Sequence, residues 1–175
     1  MSGASNWPLS IGLFPPLQIV GSSCDVDPGI RIGILWTEHV DVSGLGVSGG
    51  VAWTTGDLSG IHVAGLYSRA EGDFSGLSFA TFQNRVDRSG RGISLSAVSN
   101  VADTFSGLQL SLANVADELY GFQIGLYNEA GAAQGVQIGL FNSAGRMSGL
   151  QIGLSNYIDA SAVPWLPVFN VSFSF

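Results

Sequence analysis

The sequence predicts an all-β chain wound as a β-solenoid of about nine coils of roughly 14–16 residues, with a cap at each end. Three observations carry that prediction. Glycine recurs at a nearly fixed interval, apolar residues alternate with small or polar ones after each glycine, and the strict copies all close on asparagine. The 25 glycines also weigh against helix, because each one inside a helix costs about 1 kcal/mol relative to alanine.

The repeat is clearest in the second half of the chain. Gly107-Leu-Gln-Leu-Ser-Leu-Ala-Asn114 is followed by Gly121-Phe-Gln-Ile-Gly-Leu-Tyr-Asn128, Gly135-Val-Gln-Ile-Gly-Leu-Phe-Asn142 and Gly149-Leu-Gln-Ile-Gly-Leu-Ser-Asn156, and these copies are evenly spaced. Looser copies begin at Gly29, Gly44, Gly60, Gly76 and Gly92, at slightly longer intervals. A period of this kind marks a stack of identical small units. Counting the glycine as position 1, positions 2, 4 and 6 are apolar, as in Val136, Ile138 and Leu140. Alternation of period two is the mark of a strand with one buried face.

Hydrophobicity assigns the apolar positions to the core. The opposite positions then face outward and present Gln109, Gln123, Gln137 and Gln151, interleaved with Ser111, Gly125, Gly139 and Gly153 and fringed by Tyr127 and Phe141. On this assignment Ile138→Asp is severely destabilising, since it buries an unpaired charge, whereas replacing Gln137 is mild. Asn114, Asn128, Asn142 and Asn156 fall at one corner, where asparagine tolerates tight backbone and bonds locally, and are expected to stack as a structural ladder.

An antiparallel outer-membrane-type β-barrel is the competing architecture, with each unit one strand and the apolar positions facing lipid. A barrel alternates its two ends and calls for a hairpin repeat twice the observed length, whereas here the turn chemistry is the same in every unit. In the barrel's favour, the chain closes on Phe169-Asn-Val-Ser-Phe-Ser-Phe175, an alternating strand with a terminal aromatic. In a solenoid the same segment is a capping strand.

Residues 1–28 do not follow the repeat, and Pro8, Pro15 and Pro16 confine their strands to an edge, as an N-terminal cap requires. Residues 29–162 form the tandem array, and residues 163–175 a C-terminal capping strand. Asp25-Val-Asp27-Pro28 reads as a turn into the first coil. Gly21-Ser-Ser-Cys24 has the outline of a lipoprotein cleavage site but lacks a basic leader and an unbroken apolar run, and Cys24 reads as a turn residue.

Composition narrows function. Charged residues make up 11% of the chain, under half the usual share, so much of the surface meets something other than bulk water. A net charge of −7 with no lysine argues against nucleic acid, whose binding rests on phosphate neutralisation. Arg85, Arg88 and Arg91 read as a solvated loop. One cysteine excludes an internal disulfide. No zinc, calcium or phosphate motif is present, so no cofactor, metal or small-molecule substrate is expected. His62 takes the outward third position and His39 lies in a turn. Asp57, Asp73 and Asp87 recur at close to the repeat interval and are the sole candidates for carboxylate hydrolysis along one edge.

The unit Gly-Leu-Gln-Ile-Gly-Leu-x-Asn resembles the bacterial surface-repeat proteins of spirochaetes and other envelope-bearing bacteria. Leu13-Phe-Pro-Pro16, Thr54-Thr-Gly-Asp57 and Leu166-Pro-Val-Phe-Asn170 are similar to that family's flanking segments, so the likeness spans nearly the whole chain. The resemblance implies a location in the cell envelope, at the outer membrane or cell surface, and no activity. The expectation is a non-enzymatic structural or binding protein whose flat Gln/Gly/Ser face meets a protein, a membrane or another copy.

Overall fold

The computed structural model describes residues 9–14, 17–20, 28–39 and 41–173. The Pro15-Pro16 break, Cys24, the Asp25–Asp27 turn and the last two residues lie outside them. The side chain of His39 is likewise not described; its backbone ends a strand rather than forming a turn.

Among the described residues the fold is all-β. The first strands are β1 (Leu9–Phe14), β2 (Leu17–Val20), β3 (Pro28–Gly33), β4 (Trp36–His39), β5 (Val42–Ser48) and β6 (Val51–Thr54). Then come β7 (Leu58–Ala64), β8 (Tyr67–Ala70), β9 (Phe74–Ala80), β10 (Gln83–Ser96) and β11 (Ser99–Leu110). The series closes with β12 (Ala113–Ile124), β13 (Tyr127–Ile138), β14 (Phe141–Ile158) and β15 (Trp165–Phe173).

Successive coils pair in parallel and in register on the repeat. Gly121 opposes Gly107 and Gly135, and Gln123 opposes Gln109 and Gln137. The strand order runs in one line from β2 to β15 without closing on itself. The chain is therefore a β-solenoid of about eight turns, and the parallel register rules out the antiparallel barrel. Among the described residues antiparallel pairing is confined to the ends, where β2 pairs β1 and β15 pairs β14.

Why the repeat needs glycine at position 1 follows from backbone geometry. From Gly44 to Gly149 these residues have φ between 107° and 151°, a region that side chains rarely adopt. A Cβ on Gly135 would also stand 1.9 Å from the carbonyl oxygen of Gly121 in the coil below. Glycine thus turns the chain at one corner and lets neighbouring coils approach to sheet spacing.

The difference between the longer and the shorter coils is absorbed at corners. One extra residue sits in the bend at Ala97-Val98, where the tight coils keep only Leu112 or its equivalents in register. Another makes a bulge in β10, where Val86 opposes Ala102 and Ser89 opposes Thr104, so that Asp87 and Arg88 face Asp103 alone.

The enclosed space is narrow. Its apolar filling forms two clusters, one around Phe74 and Phe105 and one around Leu119, Met147 and Ile158, with alanines between them. Gly90 occupies the rung between Phe74 and Phe105, and a Cβ there would meet the Phe105 ring at 2.5 Å. Glycine at that rung makes room for a ring larger than one coil can hold.

Gly135→Ala is expected to cost at least about 2 kcal/mol, combining strained φ with a backbone collision. Urea unfolding followed by far-UV circular dichroism measures it. A loss below about 0.5 kcal/mol would contradict the corner geometry.

Candidate interaction face

Position 3 of each tight coil points inward, not outward. Gln109, Gln123, Gln137 and Gln151 are all buried, with Gln137 at 0% exposure. This corrects the outward Gln/Gly/Ser face expected from hydrophobicity. The reason is that the glutamines satisfy one another along the solenoid axis. Gln123 Nε2 donates to Gln109 Oε1 (2.9 Å), Gln137 to Gln123 (2.8 Å) and Gln151 to Gln137 (2.8 Å). The second amide hydrogen goes to a backbone carbonyl across the interior, that of Glu129, Ser143 or Tyr157. Gln109, Gln123 and Gln137 each accept through Oε1 from the next coil, which avoids the penalty that normally keeps glutamine at the surface, and the file ends at Gln151, whose buried Oε1 has no partner.

The asparagines form a second interior file. Asn114 Nδ2 donates to Asn128 Oδ1 (2.9 Å), Asn128 to Asn142 (2.8 Å) and Asn142 to Asn156 (2.8 Å). Asn84 and Asn100 extend the row toward the N-terminus. Each of the three asparagines also donates to the position-4 carbonyl of the next coil, Ile124, Ile138 or Ile152, at 2.9 Å. Asn156 ends the file against the Leu166 carbonyl of the capping strand (3.2 Å). The two files are polarised in opposite directions, glutamines donating toward the N-terminus and asparagines toward the C-terminus.

Position 5 is Ser111 in the first tight coil, where its hydroxyl donates to Asn114 Oδ1, and glycine in the next three, where the neighbouring coil's carbonyl and an asparagine side chain together fill the space of a Cβ. A Cβ on Gly139 would lie 2.6 Å from Asn128 Nδ2, and one on Gly153 at 2.6 Å from Asn142 Nδ2. In the looser coils the row passes through Arg31, Gly46, His62, Ser78 and Ser94, and Ser78 and Ser94 donate sideways to Asn84 and Asn100 instead.

His62 belongs to the same inward row and is 5% exposed, which corrects its expected surface position. Its ring occupies the space that a Cβ on Gly46 would fill, beside a cavity of about 20 Å³. Burial lowers its pKa to about 4; the Ser59 carbonyl opposes the shift and the Arg31 charge adds to it.

The apolar rows face out. Positions 2 and 4 expose residues such as Phe122 and Ile138, and position 6 exposes Leu112, Leu126, Leu140 and Leu154, the last at 68%. No charged residue occupies these three rows from Gly29 to Leu154. Position 7 borders them, and Tyr127 and Phe141 are exposed neighbours there, at the edge of the apolar rows rather than of a glutamine face. The Tyr127 hydroxyl donates to Glu129 Oε2 (2.7 Å), which with partial burial raises its pKa.

The charges lie elsewhere on the coil. Asp57 and Asp73 do line up, but with Asp41 rather than Asp87. The backbone N–H of Asp57 donates to Asp41 Oδ1 (2.8 Å), and that of Asp73 to Asp57 Oδ1 (2.9 Å). These carboxylates tie coil to coil at a corner. Asp87 is held by Arg69 and Arg85; burial pushes its carboxyl up, and the two guanidiniums outweigh that and leave it below the usual range. Arg85, Arg88 and Arg91 are exposed but belong to strand β10, not to a loop. Arg69 also stacks on Trp53, 4.9 Å from the ring centroid, and Trp53 lies parallel to Trp36.

Searches against family models, curated proteins and solved structures find no match to this chain.

The inverted faces reverse the mutational expectation. Gln137→Leu is expected to cost about 2–5 kcal/mol, because it orphans buried amide groups on Gln123 and Gln151. Ile138→Asp should cost about 1 kcal/mol, the scale of strand propensity at an exposed site. Parallel denaturant titrations, at concentrations low enough to leave the face without a partner, decide the order, and Ile138→Asp proving the costlier change would restore the original faces.

His62 gives a pH test. Its folded pKa lies below the unfolded value of 6.5, so the unfolded chain binds the extra proton first and stability falls as pH drops from about 6.5 to 4. Between pH 7 and 4.5 this contributes a loss on the order of 2–3 kcal/mol. Unfolding of His62→Ser at the two pH values should show a correspondingly smaller pH dependence than the unaltered chain.

Proposed function

We propose that the chain is a non-enzymatic structural and binding protein of the bacterial cell envelope, and that its working surface is the outward apolar ladder. The observation that carries this reading is the uncharged face built from positions 2, 4 and 6. At sheet spacing its nine rungs run about 40 Å, and its width is about 15–20 Å. Soluble monomers rarely leave a contiguous apolar patch of more than a few hundred Å² without a use for it. The interior amides hold the coils in register without taking any of the face's side chains inward.

The cell-envelope location rests on the resemblance of the repeat and its flanks to bacterial surface-repeat proteins. The low charge supports it, since such a surface suits a crowded, partly apolar setting better than bulk solvent. The stacked Asp41, Asp57 and Asp73 each accept a backbone hydrogen bond from the next coil, a structural use that favours this reading over carboxylate hydrolysis.

Fractionation of the native host tests the proposal. The unaltered chain is expected in the envelope fraction, and a Leu110→Glu/Ile138→Glu double variant, folded by circular dichroism, in the soluble fraction. Recovery of both from the same fraction would remove the apolar face from the account.

A further inference from the structure

The geometry points to a second copy of this chain as the occupant of the apolar face, the two solenoids meeting sheet to sheet as an isologous dimer. This inference rests on the reading of that face as the working surface, and it names the partner.

Area is the first argument. A face of about 40 by 15–20 Å presents roughly 600–800 Å² in projection, which approaches the ~800 Å² per partner of a standard stable interface. Homodimer interfaces are also the most apolar class, and the three rows contain no charge to strand between two copies.

Pitch is the second. Rows 2 and 4 form a lattice, with rungs about 4.8 Å apart along the axis and the two rows about 7 Å apart across it, and row 6 follows on the bend at its edge. Leu110, Ile124 and Ile138 form one ridge, and Leu112, Leu126 and Leu140 form the next. A surface of the same two spacings can seat its ridges in these grooves over the whole length, and a second copy has those spacings by construction. Stacked sheets pack about 10 Å apart, a gap that Leu, Ile and Phe side chains from both sides fill.

Charge is the third, and it separates a second copy from a lipid surface. The net charge is −7 and there is no lysine, so anionic headgroups gain nothing from the chain. Arg69 and Arg85 are already engaged by Asp87. In a face-to-face dimer the acidic corners of Asp41, Asp57 and Asp73 stay in water, because none of them lies in the three apolar rows.

Sedimentation equilibrium of the full purified chain, without detergent, tests the inference. The expected result is a mass twice the 18.2 kDa of one chain at micromolar concentration. Leu110→Glu/Ile138→Glu should weaken dimerisation about 100-fold or more, since it brings like charges into the buried interface. Gln134→Glu, exposed away from the apolar rows, should leave the mass unchanged. Flotation with phosphatidylcholine vesicles supplies the other arm. A monomer that floats with vesicles, and loses this in the double variant, overturns the dimer but keeps the face as a working surface. A monomer indifferent to vesicles, with the double variant still in the envelope fraction, overturns both. Should the double variant fail to fold, Leu126→Gln/Leu140→Gln takes its place with the same readouts.

Discussion

The fold depends on the amide files inside it. So short a coil encloses little space, and the side chains it takes inward are Gln, Gly or Ser, Asn, Ala and one residue such as Leu119 or Met147. Three rows of Leu, Ile and Phe would not fit there. Glutamine and asparagine do, because stacking in register lets each bond the same residue in the next coil and a backbone carbonyl as well. In a low-dielectric interior such chains of hydrogen bonds polarise and strengthen one another. The opposed directions of the Gln and Asn files keep their dipoles from adding along the rod.

Once the amides are inside, the strand's alternation places the larger apolar residues outside. The face is therefore a consequence of the interior rather than a separate design. The same constraint explains the glycines at position 5, which yield their space to asparagine and the neighbouring coil's carbonyl, and the Phe–Gly–Phe sequence of Phe74, Gly90 and Phe105 along one inward row. Where the amide file gives way to Ser78 and Ser94, the bonding turns sideways and the coils are longer than those of the C-terminal half. At His62 the row holds a neutral imidazole, so acid destabilises the rod at that N-terminal rung.

Much of this was legible in the sequence. The period, the parallel stacking and the asparagine file all follow from the spacing of Gly107, Gly121, Gly135 and Gly149. The inside and outside of the strand did not. Period-two alternation divides residues into two faces without saying which is buried, and the usual rule sent Leu, Ile and Phe to the core. One signal pointed the other way. Position 3 is glutamine in every tight coil, whereas position 2 drifts among Leu108, Phe122, Val136 and Leu150. Constancy alone does not separate the faces, since position 6 is leucine in every tight coil and stands outside; what marks position 3 is a constant amide, which can bond its own copy in the next coil. His62 was misplaced for the same reason, by analogy to a row assumed to face solvent. The bulge that separates Asp87 from the Asp41–Asp57–Asp73 corner depends on coil length alone and left no pattern to read.

Side-chain hydrogen exchange is the most direct measurement of the inverted interior. In two-dimensional NMR spectra the NH₂ protons of Gln109, Gln123, Gln137 and Gln151 should resist exchange into D₂O on the timescale of the most protected backbone amides. A soluble paramagnetic probe should at the same time broaden the methyl signals of Leu112, Leu126 and Leu140 under conditions that dissociate any partner from the face. Glutamine side chains that exchange at free-amide rates, beside leucine methyls shielded from the probe, would contradict the account.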